Sequence, residues 1–338
     1  MPIIHKDLNK KGMALRMKNN TISYAKFGYI FSIPFVVAFL LFMLYPLTYT
    51  ALIGFTDLRG MAATEWNILE NPLDNFRSVI DNNSFRISLS NTFKIWILNF
   101  IPQICMALLF TAWFTSRRID IKGKNLFKVM FYMPNILTAT TIAILFFVFF
   151  QFPVGPINEF LVWSGIREEP YNFLMNKTAS QLIVAFIQFW MWYGYTMLIL
   201  ISGVLGQNPS MYEAADIDGA NSVQIFFRIT LPNLKTILLY VIITSLVGGL
   251  NMFDIPRAFN DGAPDNATMT ASLFIFRQAF AGNFLYNRAA AASMLVFAII
   301  AVLSIVIFIL LRDKDAIQER KELKELKKQL KEAGGVRG

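Results

Sequence analysis

Cysteine, histidine and charge are all scarce in this chain. Across 338 residues, Asp, Glu, Lys and Arg together make up 16%, where an average soluble domain carries about 25%. The single cysteine, Cys105, sits inside an apolar run, so the chain can build neither an intramolecular disulfide nor a thiolate metal site. The single histidine, His5, lies in a polar N-terminal segment. A zinc hydrolase, a haem protein or a Ser-His-Asp catalyst has nothing to build on. The Walker A string (Gly, four residues, Gly-Lys-Ser/Thr) does not occur, so the chain is expected to hold no ATP, and any ATP use belongs to a partner. The expectation is a protein without catalytic residues, metal or bound cofactor.

What replaces these residues is hydrophobic: 55% of the chain, with 15% aromatic. Polar residues are gathered between long apolar blocks. A helix rises about 1.5 Å per residue, so about 20 apolar residues cross the hydrocarbon of a bilayer. Six segments meet that length, over residues 29–52, 95–115, 129–150, 181–205, 236–255 and 289–311. The fold expected is therefore all-α, a polytopic membrane protein of six transmembrane helices. The net charge of +9 is spread over segments flanking the apolar runs and does not form a basic, aromatic-interleaved surface, which argues against nucleic-acid binding. Lys6, Lys10, Lys11 and Arg16 precede the first span, Arg117, Arg118, Lys122 and Lys124 follow the second, and a Lys-rich stretch follows the sixth. By the positive-inside rule both termini face the cytoplasm. Residues 1–28 then form a cytoplasmic tail, 29–311 the membrane domain and 312–338 a charged cytoplasmic helix or tail, with Leu323, Leu326 and Leu330 on one stripe.

The connection between the fourth and fifth spans, residues 206–235, is the most informative stretch. It contains Tyr212-Glu213-Ala214-Ala215-Asp216-Ile217-Asp218-Gly219-Ala220 and later Thr230-Leu231-Pro232. Ser210 with Glu213 three residues on has the form of a capping box. Gly219 suits a helix stop, and Pro232 suits the break of a second, apolar helix. Two short helices at an angle, presenting a thin Ala/Gly surface, fit a groove on another protein.

The string EAADIDGA followed by ITLP resembles the EAA coupling loop of permease subunits of ATP-binding-cassette importers. Phe131-Tyr132-Met133-Pro134, Asp254-Ile255-Pro256 and Gly262-Ala263-Pro264-Asp265-Asn266-Ala267-Thr268 are similar to stretches of the maltose-type (carbohydrate uptake type 1) branch, with Ala263 where that branch has glycine. The resemblance covers residues 28–311. It implies a type I permease fold in a bacterial cytoplasmic membrane, a second homologous permease, two cytoplasmic ATPases that hold ATP and Mg, an extracytoplasmic solute-binding protein and a saccharide substrate. Glu213, Ala214, Ala215, Asp218 and Gly219 are the implied ATPase-coupling residues.

Candidate substrate-path residues come from the fourth and fifth spans. Trp and Tyr ordinarily belt the membrane interfaces, yet Trp190, Trp192, Tyr193 and Tyr195 crowd the middle of the fourth span. Sugars stack apolar C–H faces on such rings and need polar partners for their hydroxyls, which Gln188 and Tyr195 supply. In the fifth span Ser245, Gly249, Asn251 and Met252 complete the candidate set. By the resemblance, Ser245 and Tyr195 match contact positions in type, whereas glycine at 248 and 249 implies a more open site. Asp254 is expected to pair with Arg257. The expected function is import of a sugar or oligosaccharide, driven by ATP and dependent on a binding protein. A polyol or glycerol-phosphate importer and an ion-coupled secondary transporter are the alternatives.

Overall fold

The structure is a computed structural model that describes residues 25–61, 65–118, 121–282, 284–312 and 325. Most of the expected N-terminal tail and of the charged C-terminal helix, including Leu323, Leu326 and Leu330, lies outside the described residues.

The chain falls into two units, divided after Ile53. In the first, α1 (Ala25–Phe39) passes through a π-helical turn (Leu40–Leu44) into α2 (Tyr45–Ile53). Residues 26–53 thus make one apolar span of 28 residues. A helix apolar on every side belongs in a protein core or in lipid, and these side chains are exposed or half-buried throughout.

The second unit begins with α3 (Asp74–Ile80) and continues with α4 (Asn83–Thr115), α5 (Lys124–Ile136), α6 (Ala139–Phe149), α7 (Pro156–Trp163) and α8 (Lys177–Leu205). Then come α9 (Pro209–Ile217), α10 (Ser222–Ile225), a π-helical turn (Phe226–Thr230), α11 (Leu231–Asn233), α12 (Lys235–Leu250), α13 (Asp254–Asn260), α14 (Ala271–Phe280) and α15 (Tyr286–Leu311). The long helices start earlier than their apolar runs because asparagines cap them. Asn82 accepts the amides of Ser84 and Phe85 at the head of α4, and Asn176 accepts that of Ala179 at the head of α8.

The third span departs from expectation. Residues 129–150 are not one helix: α5 and α6 meet at 91°. Leu137 and Thr138 are extended at the joint, and the Thr138 hydroxyl caps α6 by accepting the Thr141 amide at 3.2 Å. Pro134 in the last turn of α5 leaves one carbonyl of that helix without its usual partner. Among the described residues, five helices are long and apolar enough to cross a membrane, and six if the bent pair counts as one broken span.

Packing is organised around α4 and α8, which share the broadest helix interface. Ala107 of α4 sits with Met197, Leu200 and Ile201 of α8 in one buried cluster. Gln103 of α4 donates to the Thr196 hydroxyl of α8 at 2.8 Å, both buried. Lipid tails are as apolar as leucine, so close fit and buried hydrogen bonds, rather than hydrophobic burial, hold such helices together. Gly194 shows the closeness of fit: a Cβ built there would lie 2.0 Å from the Phe131 carbonyl oxygen of α5. At the opposite end from the 206–235 connection, Asn91 donates to the Asn266 carbonyl at 2.7 Å, and Gln181 donates to the Ala267 carbonyl at 2.7 Å and to Asn91 at 3.1 Å. The Gly262–Thr268 stretch is thereby tied to both α4 and α8.

Candidate functional site

Residues 206–235 form an elbow of two short helical arms. The first arm, α9, is capped by Asn208, not Ser210: the Asn208 carboxamide oxygen accepts the Ser210 amide at 3.1 Å and its hydroxyl at 3.0 Å, with Pro209 as the first helical residue. The missing proline N–H is one that a helix start leaves unpaired in any case. Glu213 is therefore not the closing member of a capping box. The capping box occurs at the second arm, where Asn221 and Gln224 satisfy each other's backbone amides.

The stop at Gly219 is as expected, and its hydrogen bonds define it. Gly219 takes φ +74°, its amide donates to the Asp216 carbonyl at 3.2 Å, and the Ala220 amide donates to the Ala215 carbonyl at 3.0 Å. These are the two bonds of a Schellman motif, which requires a left-handed residue and so favours glycine. Ala215 is buried, Ala214 and Asp218 are exposed, and Ile217 at the tip is 87% exposed.

Pro232 does not break the second arm. The helix widens into the π-helical turn first, in which the Leu231 amide reaches back to Phe226, and continues to Asn233. The same device occurs before Pro46, where the Tyr45 amide reaches back to Leu40. In both places the residue just before a proline makes the wider bond. This shifts the carbonyl that the pyrrolidine ring would otherwise strike.

The partners of the elbow's acids are two arginines just beyond α4. Arg117 donates to Glu213 at 3.2 Å, while Arg118 donates to Asp216 at 2.9 Å and to the Ala220 carbonyl at 2.7 Å. In the sequence these arginines stand out only as orientation signals, and nothing local joins them to Glu213 and Asp216. Tyr212 donates to Gln207 and, at 3.3 Å, to Thr230, which closes the base of the elbow. Between the elbow and the end of α4 lies a mostly apolar cleft of about 710 Å³, lined by Cys105, Trp113, Phe226 and Phe227 among others.

The candidate path residues do not form one cluster. Tyr195 is half-buried, packs edge-on with the exposed Trp192 at 5.6 Å between ring centres, and has Tyr240 beside its hydroxyl. It lines a cavity of about 450 Å³ with Tyr132, Ser202 and Ile237. Three tyrosines from α5, α8 and α12 therefore converge. Tyr132 and Tyr240 lie near the starts of the third and fifth spans, where tyrosine is ordinary, so the argument that singles out Tyr195 does not reach them. Gln188 is buried in α8, and Ser245 is half-buried in α12. Met252 is buried among Ile187, Met191 and Ile255 and does not face open space.

The fifth span breaks at residues 251–253. Asn251 ends α12 with its side-chain amide turned back to the Val247 carbonyl at 2.9 Å, and Phe253 is non-helical before α13 begins. Discontinuous spans are a recurring construction of transporter binding sites. The expected opening at the paired glycines is only half realised. Nothing lies within 4 Å of a Cβ built on Gly248, but one built on Gly249 would be 2.1 Å from Cδ1 of Trp96, which fills that space from α4. Arg257 pairs with Asp261 instead of Asp254, and Arg277 joins the same carboxylate at 3.3 Å. One helical turn separates residues 257 and 261, which favours that pairing.

Comparisons with known proteins agree with this arrangement. The chain is 29% identical over 289 residues to the lactose transport system permease protein LacF of Rhizobium radiobacter, covering 85% of this chain and 94% of the relative. It is 29% identical over 282 residues to the arabinooligosaccharides transport system permease protein AraP of Bacillus subtilis (strain 168), covering 81% and 85%. Its fold is shared with a chain of a crystal structure of a bacterial ABC transporter involved in the import of the acidic polysaccharide alginate, at 20% identity and a TM-score of 0.72, covering 92% of this chain and 99% of that one. Residues 95–314, about two thirds of the chain, match the family described as binding-protein-dependent transport system inner membrane component. This multi-pass chain belongs to that family, as a transport subunit and not an enzyme.

Proposed function

We propose that the chain is the membrane-spanning subunit of an ATP-driven importer of a sugar or oligosaccharide, working beside a second permease of the same family. Two ATPases, which hold the ATP and Mg, act from the cytoplasm, one of them docked on the elbow, and a solute-binding protein delivers the sugar on the other side. The relatives' substrates support the sugar class, and the family supports the binding protein.

The elbow carries the proposal, because its ties make it a handle. The Arg117–Glu213 and Arg118–Asp216 pairs join it to the end of α4, and the Gln207–Tyr212–Thr230 contacts join its two arms at the base. A push by closing ATPases on α9 is thereby transmitted to α4, α8 and α12. Glu213 and Asp218 present carboxylates, and Ala214 and Gly219 allow close approach. The exposed Ile217 offers an apolar contact for the ATPase groove.

The test is purification of the tagged chain in mild detergent, reconstitution with its co-purifying partners, and measurement of ATP hydrolysis with binding protein and solute. The panel is lactose, arabino-oligosaccharides and, as an anionic control, glycerol 3-phosphate. Stimulation by a neutral sugar is expected. A chain that recovers no ATPase overturns the importer reading, and stimulation by glycerol 3-phosphate alone overturns the sugar class.

A further inference from the structure

Among the described residues, the indole nitrogen of Trp96 is the buried side-chain polar atom left without a hydrogen-bond partner. Buried tryptophan N–H groups ordinarily find an acceptor, and a native exception calls for a cause. A tryptophan of the interfacial belt keeps its N–H among headgroups and water. Trp96 does not: its five-membered ring lies on Gly249 of α12, with Nε1 3.0 Å and Cδ1 2.1 Å from where a Cβ would stand. Its ring also stacks on Phe100 of α4, with centres 5.3 Å apart and planes 21° from parallel.

The seat lies beside the break in the fifth span. Gly249 is two residues before Asn251, where α12 ends, and Gly248 next to it faces open space. Position 249 has to be glycine for α4 and α12 to close over the indole in this way. An aromatic face, an unused donor and a discontinuous span therefore meet at one point. These are the elements a sugar site needs: a ring for C–H faces and a donor for a hydroxyl.

We infer that Trp96 is a substrate-contacting residue of the translocation path, and that its indole N–H donates to a sugar hydroxyl when α12 withdraws from α4. In the conformation seen here Gly249 covers the donor, so the contact forms only in another stage of the cycle. This assignment rests on the sugar reading above.

Trp96→Phe separates ring from donor. In the reconstituted assembly, with the neutral sugar of the panel that stimulates best, the half-saturating concentration is expected to rise about five- to tenfold, the loss of one hydrogen bond. The thermal midpoint should fall only slightly, through the packing lost with the smaller ring, since the removed donor had no partner to lose. Gly249→Ala forces the indole off its seat and so disfavours the covered state; it should lower the half-saturating concentration. A W96F assembly with the wild-type concentration dependence overturns the assignment, whatever its stability. If W96F does not assemble, an unchanged concentration dependence in G249A overturns it instead. A wild-type assembly that no sugar stimulates overturns the sugar reading, a result distinct from either.

Discussion

The elbow and the helix packing around the path both depend on glycine, for opposite reasons. Gly219 has φ +74° and nothing within 4 Å of a Cβ built on it; its value is a backbone conformation. Gly194 and Gly249 sit inside helices with no left-handed backbone but have no room, the first against the Phe131 backbone and the second against the Trp96 ring; their value is the missing side chain. The elbow is shaped by hydrogen bonds among residues a few positions apart. The helix bundle is shaped by how closely distant helices approach. Damage to the first should be local and modest, whereas damage to the second should reach the whole bundle.

The largest effect is expected from Gly194→Val. Its neighbour is backbone, which cannot turn aside, so α5 and α8 must part. A loss of about 3 kcal/mol or more follows from overpacking of this kind, read as a fall in the thermal midpoint of the solubilised chain. Wild-type stability would mean that α5 stands off from α8, and the contrast between the two regions would collapse. Gly219→Ala comes next. It meets no atom and suffers only the left-handed backbone, about 1 kcal/mol. Its thermal midpoint should drop far less than that of Gly194→Val, while its ATPase recovery in a pull-down falls because the elbow's stop is distorted. A thermal loss as large as that of Gly194→Val would show that the elbow is part of the packed bundle.

The smallest effect belongs to the arginine pairs. Arg118 and Asp216 are both more than one third exposed, so solvent and salt screen them, and their coupling in a double-mutant cycle of Arg118→Ala and Asp216→Ala should stay below about 1 kcal/mol. Transport should suffer more than stability does, because the pair's role is to keep the elbow tied to α4. Equal losses in both readouts would reduce the pair to an ordinary structural contact.

Legibility from sequence follows the same division. The elbow's stop at Gly219 was readable because a Schellman turn needs one left-handed residue at a fixed distance from the helix end. Its cap was misassigned because Asn208 and Ser210 both satisfy the general cap preference, and only Pro209 between them marks the true helix start. The counter-charges Arg117 and Arg118 were in plain view, but nothing local joined them to Glu213 and Asp216. Among the candidate path residues, Tyr195 is singled out by an argument about depth. Tyr132 and Tyr240 lie near span ends, where depth singles out nothing, and the burial of Met252 depends on neighbours from other helices. The opening inferred at Gly249 failed for one reason: a missing side chain can be filled from another helix, and Trp96 fills it.

Hydrophobic run length, charge placement and short-range turn chemistry were enough to determine six spans, an all-α architecture and a two-armed elbow. Each of those depends on the period of a helix or on bonds that close within a few residues. The right-angle bend of the third span, the π-helical passage before Pro232, the ties of the elbow to α4 and the seat of Trp96 on Gly249 were decided by tertiary structure. They depend on which groups from distant parts of the chain come within a few ångströms, and in a bundle held by close fit that is settled only once the helices have packed.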